Sequence, residues 1–169
     1  MIIEIHSQSP DETFNIGEKI GKQLKGDEII FLKGELGAGK TLLTKGIARA
    51  LGIEADEVVS PTFTLVNQFQ GKDEQRLFHI DLYRLGPVIA GHLPEIDDNI
   101  DEGVIVVEWA QFLESSYFEL KNSIQVTLRL VEENENGRIL KIDTTLDSMK
   151  VLKKKHPAPS GPPSQEGIS

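Results

Sequence analysis

The chain has 169 residues, no cysteine and a formal net charge of −9 at pH 7. That length suits one domain with a single substantial core, and zero cysteines exclude disulfides, thiol catalysis and cysteine metal sites. The acidic balance argues against autonomous tight binding to a nucleic-acid backbone, which needs a basic surface. No run of 18 apolar residues exists, and Met1-Ile2-Ile3-Glu4 lacks the basic, apolar and small-residue order of a signal peptide. A cytoplasmic chain without a membrane partner is therefore expected.

Ile2, Ile3 and Ile5 suggest an opening strand. Ser9-Pro10-Asp11-Glu12 follows, with Ser as cap, Pro at the first helical position and Glu three after the cap. Phe14, Gly17, Ile20, Gly21 and Leu24 would form one face of that helix. Residues 28–33 are a short apolar run that reads as a buried strand. Past a glycine-rich loop, Leu42, Leu43, Ile47, Ala50 and Leu51 recur at helical spacing, with Gly52 as the stop. Residues 60–66 read as a loop running into a strand, since the residue before Pro61 is biased to extended geometry. Residues 77–81 and the more apolar 104–108 read as further strands. Alternation over 124–144, interrupted by Asn136-Gly137, predicts two antiparallel strands with the Asn-Gly pair at the turn. From Pro157 the composition turns to Pro, Ser and Gly, with little to bury. The expected organisation is a domain over 1–147 and a disordered tail over 148–169. The expected fold is a three-layer α/β domain with a mainly parallel central sheet and antiparallel edge strands.

The loop between strand and helix is Gly34-Glu35-Leu36-Gly37-Ala38-Gly39-Lys40-Thr41, which meets G-x-x-x-x-G-K-[ST] at every fixed position. Glycines let the backbone curl so that successive N–H groups face a phosphate, and the helix N-terminus adds its positive dipole end. Lys40 would reach the outer phosphates, and the Thr41 hydroxyl would ligate Mg²⁺. A plain glycine-rich turn would not require Lys then Thr at the helix start.

Such a site needs an acid at the end of a neighbouring strand, to hold Mg²⁺ or its waters. Glu108 ends the strand 104–107 and Asp81 ends the strand 77–80. For each, the competing reading is an ordinary surface acid at a strand end. The phosphate loop favours function, because ligands sit at the carboxyl ends of such strands. The hydroxyls of residues 60–64 could sense a γ-phosphate or simply cap a loop. Alternation puts His79 on the same face as Asp81; a packed structural histidine is the simpler reading. Trp109 could stack on a base, anchor the core or meet a partner, and Arg84 could touch phosphate or pair with an acid.

Together G-E-L-G-A-G-K-T, S-P-T-F-T-L-V, F-H-I-D-L-Y-R-L and V-V-E-W, in this order over roughly residues 1–145, resemble the TsaE family of small bacterial P-loop ATPases. The resemblance implies a protein of tRNA threonylcarbamoyladenosine biosynthesis that binds ATP and Mg²⁺ and hydrolyses ATP slowly. It implies association with two related subunits that transfer the threonylcarbamoyl group to adenosine 37 of tRNAs reading ANN codons. The ATPase would then reset that complex and meet tRNA only indirectly. Carried over by position, Glu35, Leu36, Gly37, Ala38, Gly39, Lys40, Thr41 and Leu42 would contact the nucleotide, with Thr62 and Trp109. Thr41 and Glu108 would hold the metal, and Asp81 and Glu108 would be catalytic. One departure stands out: where the family continues with an acidic helix, Gly86 to Glu95 holds two prolines and two glycines, which disfavour a long helix. A small-molecule kinase would use the same loop, but neither an Arg-rich lid nor an Arg cluster is evident. An N-K-x-D segment for guanine and an L-S-G-G-Q transporter signature are both missing.

Overall fold

The computed structural model describes residues 1–86 and 92–153. The Pro-rich stretch from Pro157 and residues 87–91 of the atypical segment lie outside the described residues. Among the described residues seven strands form one sheet: β1 (Ile2–Ser7), β2 (Ile29–Lys33), β3 (Val66–Gln70), β4 (Arg76–Asp81), β5 (Val104–Glu108), β6 (Ser123–Val131) and β7 (Asn134–Thr144). Their order is β1-β7-β6-β2-β5-β4-β3. The central strands β6, β2, β5 and β4 run parallel, whereas β7, β1 and the edge strand β3 pair antiparallel. All five residues of β5 are buried, as a strand covered on both faces requires.

One face carries α1 (Pro10–Gly21) and α2 (Lys40–Ala50). Ser9 caps α1 by accepting from the Glu12 N–H, while the Glu12 carboxylate accepts from the Gln8 N–H at 2.7 Å. The buried face of α1 is Thr13, Ile16, Gly17, Ile20 and Gly21. Phe14, expected on that face, is only half-buried, under the Arg49 guanidinium. The two helices touch backbone to backbone. A Cβ on Gly17 would fall 2.3 Å from the Leu43 carbonyl oxygen, and one on Gly46 would fall 2.1 Å from that of Phe14.

The other face is covered by a thinner layer: α3 (Pro94–Asp97) and short 3₁₀ turns at Ala110–Phe112 and Ser115–Glu119. Ile96, Leu113 and Tyr117 from this layer pack on Phe31, Ile80 and Val107. After the proline-rich stretch the chain forms only the single turn of α3, started by Pro94.

Two sequence expectations are corrected. The hairpin turns at Glu132-Glu133, because Val131 pairs with Asn134 and Leu130 next pairs with Arg138. Asn136-Gly137 therefore lies in a bulge, where the Asn134 side-chain oxygen accepts the Asn136 N–H at 3.0 Å. The packed domain also does not stop at 147. A 3₁₀ segment, Asp147–Lys153, places Met149 and Leu152 in the core beside Ile3 and Ile16.

Candidate functional site

β2 ends at the centre of the sheet, and the chain then curls through three positive-φ glycines: Gly34 (156°), Gly37 (76°) and Gly39 (102°). Gly39 is the N-cap of α2, so the loop feeds directly into the helix dipole. A loop whose N–H groups turn inward must turn carbonyls outward, and here those carbonyls are collected. Arg138, from β7, donates from Nε to the Ala38 oxygen and from Nη2 to the Gly37 oxygen, each at 3.0 Å. Its Nη1 donates to the carbonyls of Glu135 and Gly137, both at 2.7 Å. Lys40 folds back onto the loop, donating to the carbonyls of Gly34 at 2.7 Å and Glu35 at 2.8 Å. Its ammonium lies 3.9 Å from the Trp109 ring centroid. Burial pushes the Lys40 ammonium below the ordinary lysine value, against the opposing pull of Glu108 and Asp81.

The loop opens into a cavity of about 490 Å³. Leu36, Gly37, Gly39, Lys40, Thr41 and Leu42 line one side; Ser60, Thr62, Asp81, Tyr83, Glu108, Trp109 and Arg138 complete it. Parallel pairing sets Asp81 directly opposite Glu108 at the carboxyl ends of β4 and β5. Glu108 Oε2 accepts from the Thr41 hydroxyl at 3.0 Å, and Oε1 lies 2.7 Å from His79 Nε2. Asp81 Oδ2 accepts from the hydroxyls of Ser60 and Thr62, and Oδ1 accepts from the Tyr83 N–H at 2.9 Å. The two acids thus face one cavity with different partners: Glu108 is tied to α2, Asp81 to the 60–64 loop.

Two residues named from the motif do not line this cavity. Glu35 and Ala38 border a separate space of about 710 Å³ with Lys33, Gln111 and Thr127. The Ala38 N–H is committed to the Glu35 carbonyl at 3.1 Å. Thr64 turns to Asn67, and Arg84 lies over the exposed ring of Phe63, so neither joins the site. Trp109 adopts a left-handed backbone (φ 61°), which swings its ring over the loop and against Tyr83 and Phe112. Trp109 thus lines the cavity and also packs against the core cluster that holds Phe31, Ile80 and Val107.

Arg138 was not singled out in the sequence, nor was the contact of His79 with Glu108. Arg138 and the loop it serves are separated by 100 residues of sequence from Ala38, and nothing local marks it. For Mg²⁺, the donors that meet here fit: the Thr41 hydroxyl and the carboxylates of Glu108 and Asp81 are hard oxygens. Among the described residues no group of three or more His, Cys, Asp or Glu could cage a metal by itself.

Among the described residues no helix is long and apolar enough to cross a membrane. The family model "Threonylcarbamoyl adenosine biosynthesis protein TsaE" matches residues 7–140. A tRNA threonylcarbamoyladenosine biosynthesis protein TsaE from Aquifex aeolicus is 41% identical over 114 residues, covering 66% of this chain and 79% of the relative. One from Treponema pallidum is 32% identical over 136 residues, covering 75% and 91%. One from Synechocystis is 43% identical over 101 residues, covering 57% and 63%. Among solved structures, the crystal structure of Bacillus subtilus YdiB superposes with a TM-score of 0.63 over 90% of this chain and 91% of that chain. At 24% identity, that likeness speaks to fold alone.

Proposed function

The chain belongs to the TsaE family of tRNA threonylcarbamoyladenosine biosynthesis, a P-loop nucleotide-binding family, and on that premise we propose that it is a Mg²⁺-dependent ATPase. It hydrolyses ATP slowly by itself and acts on the two related subunits that carry out threonylcarbamoyl transfer, meeting tRNA only through them. The observation that carries the chemistry is the meeting of Thr41 with Glu108 at 3.0 Å, beside Asp81 on the next strand.

The loop N–H groups of Gly37, Gly39 and Lys40, with the Lys40 ammonium, hold the phosphates of ATP. Lys40 exchanges the Gly34 and Glu35 carbonyls for phosphate oxygens. Thr41 and Glu108 hold Mg²⁺, which when bound neutralises charge on the phosphate oxygens. Asp81 orients a water in line with the γ-phosphate; the water oxygen bonds to phosphorus as the bond to the β-phosphate oxygen breaks, giving ADP and phosphate. Positioning and charge neutralisation supply most of the acceleration. Leu42, Thr62 and Trp109 wall the nucleotide.

The test is Mg²⁺-dependent ATP hydrolysis by the purified chain, alone and with the two transferase subunits. Slow turnover that rises on adding the subunits is expected, as is a larger loss of turnover than of nucleotide affinity in Thr41→Ala, Asp81→Ala and Glu108→Ala. Parental rates in both Asp81→Ala and Glu108→Ala would refute the site assignment. Phosphate passed to an added nucleoside or sugar would turn the reading to a kinase.

A further inference from the structure

We propose that His79 is a positioning residue: its Nε2–H holds Oε1 of Glu108, leaving Oε2 as the oxygen that faces Thr41 and the phosphate loop. The proposal rests on the site reading above but concerns a residue outside the cavity. His79 and Asp81 lie on one face of β4, two residues apart, so His79 sits roughly 6.6 Å deeper along the strand. It is fully buried, as is Glu108 to within 2%.

A carboxylate buried this deeply needs donors on both oxygens. Oε2 has Thr41. Oε1 has two neighbours, His79 Nε2 at 2.7 Å and the Thr44 hydroxyl at 3.4 Å. The single proton of Thr44 goes to the Lys40 carbonyl at the shorter distance of 2.9 Å. His79 is therefore the donor that satisfies Oε1. The other ring nitrogen supports the same assignment, since Nδ1 is buried with no hydrogen-bond partner among the described residues. A bare lone pair there is tolerable, whereas an N–H would be an unsatisfied buried donor. The proton accordingly sits on Nε2, and the ring serves as a strut beneath the acid. Without it, Oε1 is left unpaired and the carboxylate is free to turn toward Thr44 and Lys40, away from Thr41.

The test compares His79→Gln, whose amide can place a donor near the position of Nε2, with His79→Leu, which fills the space without one. Losing a group that orients a metal-linked carboxylate lowers activity roughly 10- to 100-fold. His79→Leu is expected to lose kcat by that factor with KM for ATP little changed, and His79→Gln to recover most of it. The resting wild-type protein supplies an independent readout: long-range ¹⁵N–¹H correlation should show His79 protonated at Nε2 and bare at Nδ1. A proton on Nδ1 with Nε2 bare would overturn the proposal even where His79→Leu fails to fold. So would His79→Leu with parental kcat, or equal losses in both variants at parental melting temperature. If the wild-type chain hydrolyses no ATP, the ATPase reading fails, while the tautomer still decides the role of His79 beneath Glu108.

Discussion

Replacing Arg138 with Met removes the guanidinium while keeping most of the stem. Four N–H bonds are lost, of which two hold the outward carbonyls of Gly37 and Ala38. Hydrogen bonds from a charged donor contribute about 1.5–3 kcal/mol each where well buried. Arg138 opens onto the cavity, and neighbouring bonds do not add, so the two loop bonds together merit about 1.5–3 kcal/mol of loop ordering. That ordering must be restored when phosphates bind, which weakens affinity by roughly 10- to 100-fold at 1.4 kcal/mol per decade. Isothermal titration of ADP and ATP with Mg²⁺ reads this directly. Arg138→Lys separates geometry from charge: an ammonium keeps the charge but cannot present two parallel donors to adjacent carbonyls. It is expected to stay clearly weakened. Unchanged affinity in Arg138→Met would refute the bracing role, and full recovery in Arg138→Lys would assign the effect to charge alone.

Gly46→Ala drives a methyl into the Phe14 carbonyl and the Glu18 N–H, neither of which can rotate away. Overpacking of this kind costs about 1–3 kcal/mol, seen by circular dichroism as melting lowered by roughly 2–12 °C. Met149→Ala should destabilise by about 2–5 kcal/mol in urea denaturation, as a core site does; a change under about 0.5 kcal/mol would return residue 149 to a surface tail. Lys40 is held below the ordinary lysine value in the resting loop by burial, and phosphate contact raises it again. Between the lowered and the restored value, the complex holds more protons than the free chain. Nucleotide binding there takes up a proton and weakens as pH rises, which titration in buffers of different ionisation enthalpy measures.

The phosphate loop was legible because its chemistry is local: three glycines, a lysine and a threonine occupy consecutive turns of one backbone path. The strands ending in Asp81 and Glu108 were legible because their acids follow apolar runs. What the sequence withheld depends on pairing between distant strands. Arg138 reaches the loop only because β7 lies beside β6 and β6 beside β2. His79 meets Glu108 only through the β4–β5 register. Asn136-Gly137 misled because the chain reverses earlier, at Glu132-Glu133, and neither residue adopts the positive φ that a tight Asn-Gly turn requires. Met149 and Leu152 sit beside charged and proline-rich neighbours, and the average composition hid two core residues.

Trp109 is the chain's sole indole, and the Lys40 ammonium rests against it. A single emitter beside the group proposed to engage the phosphates makes this protein its own optical probe. Movement of the cation on phosphate binding would change the field across the ring, so nucleotide occupancy is expected to shift the tryptophan emission without any label. Stopped-flow recording of that emission would time the movement of Lys40 on the unmodified chain, and Lys40→Met, already lacking the cation, should start from the displaced signal.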